Sequence, residues 1–330
     1  MKSRDIKRLF QISKNTGSIS AKPRMWKGSL VALLLACAVL LVYGIGCSEK
    51  KPRVDTFRLV ILHMNDWHGS NPDLLARQTT LVKNVRSDNP NVLLLNGGDV
   101  FARGKLHYHF FGEPEFAVMN LQKTDAMVAG NHEFSATGDA PEAYDILEKR
   151  LKQSRFPVLA ANVTRKSDGH SLHRLQPDAV VKCGGLRIGI IGLTERNSAS
   201  PLSKSLLVFD DPIESAKRIY PETAAKSDIV IALTHIGFED DKRLAHELPG
   251  LSAIIGGHSH TDLMSPYIAD GVPIVQVASF GLKVGRLDLD FVLEGGSYKL
   301  RSASGELIPV SDFEPDPEVL SLFQKYMKKL

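Results

Sequence analysis

Two kinds of hydrophobic pattern alternate along this chain. Short, β-branched apolar runs occupy residues 57–62, 92–95, 126–128, 158–161, 188–193, 229–233, 253–255 and 273–277. Continuous runs of this length predict strands buried on both faces. Between them lie stretches with helical spacing: Leu74, Leu75, Leu81, Val82 and Val85 share one face, as do Ala143, Ile146, Leu147 and Leu151. Residues 180–191 read as a hairpin around Gly184-Gly185, and 287–300 as another around Gly295-Gly296. Residues 317–330 predict a terminal amphipathic helix. Strands alternating with helices imply an α/β fold with a largely buried sheet. Sheets of this kind carry ligands at the carboxyl ends of their strands.

The first fifty residues do not share this pattern. Lys27 precedes an unbroken apolar run at 30–42, which leads to Gly44-Ile45-Gly46-Cys47 and then Ser48-Glu49-Lys50-Lys51. A basic flank, an apolar core and small residues before a cysteine predict an export signal over 1–46. The Cys47 junction resembles a bacterial lipoprotein box, although the position three before the cysteine usually carries Leu and here carries Gly44. The expectation is a protein exported to the cell envelope, facing the periplasm and lipid-anchored at Cys47. The alternative is an apolar anchor, but the run is shorter than the roughly 20 residues of a full span. Residues before Met25 lack periodicity and fit an over-extended N-terminus. Residues 47–56 then form a linker, and 57–330 a single catalytic domain.

This division changes the charge. The whole chain is net +4, but the leader holds eight basic residues and one acidic one, which leaves 33 basic and 36 acidic groups, net −3, beyond it. Such a surface does not suit a nucleic-acid polymer as partner. With Cys37 in the leader and Cys47 at the anchor, Cys183 stands alone and no disulfide is expected.

The candidate chemistry lies at the strand ends. The first run leads into His63-Met64-Asn65-Asp66-Trp67-His68-Gly69, the second into Asn96-Gly97-Gly98-Asp99 and the third into Gly130-Asn131-His132-Glu133. Later runs end in Thr234-His235 and Gly256-Gly257-His258-Ser259-His260. A loop leaving a strand can aim residues i and i+2 at one point, which suits Asp66/His68 and His258/His260. Glycines beside them permit close backbone approach. Carboxylate, imidazole and amide oxygen together suit divalent Mn, Zn, Fe or Co. Two such ions about 3.5–4 Å apart can clamp a phosphoryl group. Any one motif is weak evidence, but five in one chain, each after a strand, are strong. No Gly-x-Ser-x-Gly elbow, P-loop or dinucleotide fingerprint is present.

This ordered set resembles the calcineurin-like metallophosphoesterase superfamily. The text around it (residues 61–66, Asn131-His132-Glu133-Phe134, Gly112-Glu113-Pro114, Ala161-Asn162-Val163 and Val284-Gly285-Arg286-Leu287) resembles the catalytic domain of the 5′-nucleotidase family. The similarity runs through roughly residues 57–325. It implies a two-sheet sandwich flanked by helices, the four-layer αββα arrangement. It also implies two divalent metal ions: Asp66, His68 and His260 on one, Asn131, His235 and His258 on the other, Asp99 between them. A bridging metal-bound hydroxide would attack phosphorus, and His132 would stabilise charge or protonate the leaving oxygen. The implied substrate is a small phosphate ester, a nucleotide first among them. His63 and Asn96 are expected to be structural or to support the ligands.

Two departures from the family pattern stand out. An Asp commonly follows Asn-His-Glu-Phe and orients the catalytic His; here the residue is Ser135. A hydroxyl can fix an imidazole tautomer but offers its protonated form no counter-charge. Weaker leaving-group catalysis follows unless Asp139 or Glu133 substitutes. The sequence also stops where the family's C-terminal substrate domain would begin. Two alternatives therefore stand beside the phosphoesterase: hydrolysis of another ester such as a sulfur-centred one, and a weakly active metal-binding envelope protein that needs a partner domain. His107, Tyr108 and His109 are expected to be packed or solvated. Glu239-Asp240-Asp241 is expected to open a helix, where acids complement the dipole.

Overall fold

The apolar runs become the inner strands of two sheets in the computed structural model, which describes residues 55–69, 71–101, 104–135 and 142–330. The leader, Cys47 and nearly all of the linker lie outside the described residues, as do Asp139 and the side chain of Ala143. The first half of the described chain runs β1 (Thr56–Met64), α1 (Pro72–Asp88), β2 (Val92–Asn96), α2 (Lys105–Phe110), α3 (Glu113–Gln122), β3 (Ala126–Val128), α4 (Glu142–Gln153), β4 (Val158–Leu159), β5 (Val163–Arg165) and β6 (Leu175–Gln176). The second half runs β7 (Asp178–Cys183), β8 (Leu186–Thr194), α5 (Pro201–Leu206), β9 (Leu207–Phe209), α6 (Pro212–Lys226), β10 (Ile229–His235) and α7 (Phe238–Glu247). It finishes with β11 (Ile254–Ile255), β12 (Tyr267–Ala269), β13 (Val272–Val275), β14 (Lys283–Glu294), β15 (Ser297–Pro309) and α8 (Pro317–Met327).

One sheet has the order β15-β14-β1-β2-β3-β4-β6, the other β12-β13-β11-β10-β8-β7, and β5 pairs with β9 in a separate ribbon. The inner strands are parallel; the first sheet carries antiparallel strands at its β14/β15 edge and stays parallel to its β6 edge, while the second is antiparallel at both edges. Three apolar clusters fill the spaces between layers. Leu59, Ile61, Leu93 and Leu95 of the first sheet pack with Ile188, Ile190, Ile231 and Leu233 of the second. The other face of the first sheet buries Leu62, Leu94 and Met127 with helical Leu81, Phe116, Leu147 and Phe323. The outer face of the second buries Leu193, Ala232 and Ile274 with helical Ile213, Ala216 and Leu244. This is the helix–sheet–sheet–helix sandwich expected.

Four helices start with the same local device. Asn71-Pro72, Ser200-Pro201, Asp211-Pro212 and Asp316-Pro317 each place a capping side chain on backbone N–H groups of the first turn, followed by a proline whose missing N–H costs nothing there. Both Gly-Gly turns have positive φ at each glycine, as two-residue hairpin loops require. The C-terminal hairpin is longer than the apolar pattern predicts, because most of β15 faces solvent and needs no apolar run. Conversely, the 158–161 run pairs only over two residues before it turns away.

The two sheets touch closely where β8 passes β4. An alanine Cβ at Gly192 would lie 2.9 Å from the Leu159 carbonyl carbon and 3.1 Å from its Cα, with Leu159 Cβ closer still. Two residues on, Thr194 Oγ donates across the gap to the Ala129 carbonyl at 2.7 Å. Asn162 holds the same point, accepting from Thr194 N and donating to Thr194 O.

Candidate metal centre

Three loops of the first sheet and two of the second meet above this contact, at the carboxyl ends of the parallel strands. The loop after β1 is zipped to the loop after β2: Asp66 N donates to Gly98 O, His68 N to Asp99 O and Gly97 N to Met64 O, at 2.7–3.0 Å. Trp67 turns into the core between Asp66 and His68, so those two side chains share the open side. Asp66, His68, Asp99, His258 and His260 all have φ between 52° and 78°. Left-handed backbone is uncommon outside glycine and is best tolerated by Asp, Asn and His.

All eight residues singled out in the sequence come together here. His68 Nε2 and His260 Nε2 are 3.0 Å apart, and Asp66 Oδ1 lies 3.1 Å from His260 Nε2 and 3.6 Å from His68 Nε2. Asn131 Oδ1 sits 3.2 Å from His235 Nε2 and 3.0 Å from His258 Nδ1. Asp99 Oδ2 is 3.1 Å from His235 Nε2. Asp99 therefore stands between an Asp66/His68/His260 group and an Asn131/His235/His258 group. His132 approaches from the open side, its Nε2 3.9 Å from Asp99 Oδ2 and its ring 5.0 Å edge-on from His68. With 38% of its side chain exposed, it can meet a substrate.

The donor set fits divalent cations. Two imidazole nitrogens cannot rest 3.0 Å apart lone pair to lone pair, so a proton or a cation must lie between them. His235 Nδ1 donates to Gly97 O at 2.6 Å, which leaves Nε2 as the free donor atom. The groups Asp66/His68/His260, Asp99/His235/His258 and His68/Asp99/His132 each place ligand atoms within 4.8 Å of one another. In the protein alone, burial opposes protonation of His235, but the Asp99 carboxylate outweighs it and lifts the imidazole to about 10. Burial likewise raises Asp99, and His235 overcomes it and holds that carboxyl low. Burial keeps His68 and His258 below the usual imidazole range.

Several residues position the centre through contacts that the motifs do not show. Glu133, fully buried, accepts four backbone N–H groups: Asp99 and Gly130 on one oxygen, Val100 and Phe101 on the other. Both of its oxygens are thus committed to clasping the loops after β2 and β3, so it does not take the orienting role considered for it. Ser135 is engaged elsewhere as well: its hydroxyl accepts from Ser200 N at 3.0 Å. Asn65 donates to Asp66 Oδ2 and Val277 O, joining the two sheets. Gln276 Oε1 accepts from Ser259 Oγ and Thr261 N, which fixes the His258–His260 loop from below. Asp241 opens α7 as expected, but it is buried rather than solvated: it accepts from Thr234 Oγ at 2.6 Å, and burial pushes its carboxyl up to about 7.

The remaining candidates are structural. His63 is buried under Gly285, and burial pushes its imidazole down to about 3. Asn96 accepts from Gly98 N. His107 packs between Phe101 and Phe111, while Tyr108 is exposed. Cys183 is free and buried.

Comparison with known proteins agrees with this geometry. The calcineurin-like phosphoesterase profile matches residues 59–262. Protein UshA of Escherichia coli K12 is 34% identical over 300 residues, covering 78% of this chain and 52% of its own length. The mouse 5′-nucleotidase is 32% identical over 305 residues, 78% and 50% respectively. The chain thus spans about half the length of these relatives. Among solved structures, a 5′-nucleotidase precursor from Thermus thermophilus superposes with a TM-score of 0.69 at 29% identity, covering 83% of this chain and 59% of that one. The calcineurin-like phosphoesterase YfkN of Bacillus subtilis gives 0.72 at 25% identity, covering 83% and 98%.

Proposed function

This chain belongs to the calcineurin-like phosphoesterase family, and on that premise we propose that it hydrolyses phosphate esters, nucleotides among them, with two divalent cations. The observation that carries the reading is the convergence of three carboxylate and amide side chains and four imidazoles at the carboxyl ends of strands from both sheets. Asp66, His68 and His260 would hold one cation and Asn131, His235 and His258 the other, with Asp99 shared. Bound there, such cations supply positive charge to the phosphoryl oxygens and acidify a water that serves as nucleophile.

The protein's own groups do the rest. Asn65 and the backbone N–H of His258 hold Asp66 Oδ2, which leaves Oδ1 beside His260 and His68. His132 N donates to Asp99 Oδ1 at 2.8 Å, so the residue that shapes the shared carboxylate also places the imidazole beside it. That imidazole stabilises charge on the phosphoryl group or gives a proton to the leaving oxygen. The nucleotide assignment is supported by the named relatives. Export through the 1–46 leader, with lipid at Cys47, rests on the sequence; among the described residues no helix is long and apolar enough to cross a membrane.

The test is hydrolysis of an aryl phosphate and of AMP by purified protein with added Mn²⁺, with metal content measured alongside. Asp99→Asn is expected to abolish turnover and lower metal content, and His132→Ala to cut turnover about 10²-fold or more with metal retained. Stoichiometric metal without turnover of any phosphate ester would overturn the reading in favour of a metal-binding protein.

A further inference from the structure

Among the described residues, Phe280 is an aromatic residue that faces the candidate metal centre, and its placement is built rather than incidental. Its ring centroid lies 5.9 Å from that of His68 and 6.5 Å from that of His260. Yet 46% of the residue is exposed, unlike the aromatic side chains of the core. The backbone is left-handed at Phe280 (φ 70°) and again at Gly281 (φ 69°). For a bulky residue that conformation is a true outlier, and it persists only where the surroundings impose it. Two hydrogen bonds impose it here: Phe280 N donates to Asp66 O at 2.8 Å, and Gly281 O accepts from the buried Gln78 Nε2 at 2.9 Å. The turn between β13 and β14 is thereby pinned to the ligand loop and to helix α1, and the ring is held at the rim.

Resting on the phosphoesterase reading above, we propose that Phe280 selects the leaving group: it favours phosphate esters that carry a flat, apolar group on or next to the ester oxygen. His132 and Phe280 both contact the ring of His68, at 5.0 and 5.9 Å. The two rings thus lie no farther apart than the sum of those distances, a gap that a flat group on the oxygen served by His132 can span. Offset or edge-to-face packing there discriminates flat groups from small or hydrophilic ones. Shielding His68 alone would not call for a ring that leaves nearly half of Phe280 exposed.

The test uses phosphonates, whose P–C bond is not hydrolysed, so it reads binding rather than turnover. Phenylphosphonate and methylphosphonate are titrated calorimetrically into the Mn²⁺-loaded full chain. The wild type is expected to bind the phenyl compound about fivefold to tenfold more tightly, the size of one aromatic contact. Phe280→Ala is expected to bring that ratio close to one with metal content unchanged, and Phe280→Tyr to preserve it. Since Phe280→Ala keeps the strained backbone, Phe280→Leu provides a second variant of similar bulk without a flat ring, expected to lose most of the preference. Equal affinities in the wild type, or a preference that survives in the Ala and Leu variants, would overturn the proposal. Equal weakening of both ligands with loss of metal would also overturn it, in favour of a shielding role. Failure of both phosphonates to bind the wild type would refute the phosphoryl site itself, an outcome distinct from equal binding of the two.

Discussion

Gly192→Ala tests whether the spacing of the two sheets sets the geometry of the centre. Gly192 does not need glycine for its φ, so the substitution is a change of volume alone. Its Cβ would approach Leu159 backbone carbons at 2.9 and 3.1 Å, whereas carbon atoms rest about 3.5–4.0 Å apart. The sheets must separate locally by roughly 0.5–1 Å to accommodate it. Overpacking of this kind costs about 1–3 kcal/mol. The loss of unfolded-chain entropy on replacing glycine returns about 0.4–1 kcal/mol, so destabilisation wins, and thermal melts should fall by several degrees. The functional effect should be larger. The Thr194 to Ala129 bond ties the second sheet to the strand end that delivers Asn131, whose Oδ1 is 3.2 Å from His235 Nε2. A displacement near 1 Å at that junction costs on the order of 10²-fold in rate. The assay is Mn²⁺-dependent hydrolysis with a melt on the same sample. Truncation of Leu159 to Ala should not rescue the variant, because the clash lies with backbone and Cβ atoms that alanine keeps. Wild-type activity and melting in Gly192→Ala, or rescue by Leu159→Ala, would refute the coupling.

Two further outcomes are expected. Glu115 in α3 is fully buried, neither of its oxygens has a hydrogen-bond partner among the described residues, and burial pushes its carboxyl up to about 7 from 4.5. Between those values the folded protein holds a proton that the unfolded chain has released, so stability falls as pH rises through that window, by about 3 kcal/mol in all. Glu115→Gln should therefore melt higher than wild type at pH 8 and near wild type at pH 4.5; the same difference at both pH values would show that ionisation is not the cause. Ser135→Asp is expected to raise turnover of esters with poor leaving groups by giving His132 a carboxylate partner. An unchanged rate with unchanged melting would leave position 135 as no more than an anchor for Ser200.

Strands that must be apolar on both faces announced themselves, and so did the residues that converge at the candidate centre, because each follows such a strand in a short polar motif. What was hidden shares a different property. Glu133, Asn65, Gln276 and Asp241 act through backbone amides or through hydroxyl and carboxylate partners of other residues, contacts that leave no spacing rule in the chain. Asp241 was further concealed by its two acidic neighbours, since only the fold decides which of three helix-opening acids turns inward. Strand β15 was underread for the opposite reason: its solvent-facing residues carry no apolar signal. Ser135 was legible as a departure, but its bond to Ser200 N depends on a loop brought close only by folding.

The left-handed backbone at five of the seven proposed ligand positions reaches into the choice of metal. A side chain at such a position must tolerate positive φ, which Asn, Asp and His do most readily and β-branched residues hardly at all. The local chain path therefore filters the donors before any cation arrives, toward oxygen and imidazole nitrogen and away from a thiolate cage. Efforts to retune this protein for a softer metal would have to rebuild the loops, since exchanging the side chains alone would leave that filter in place.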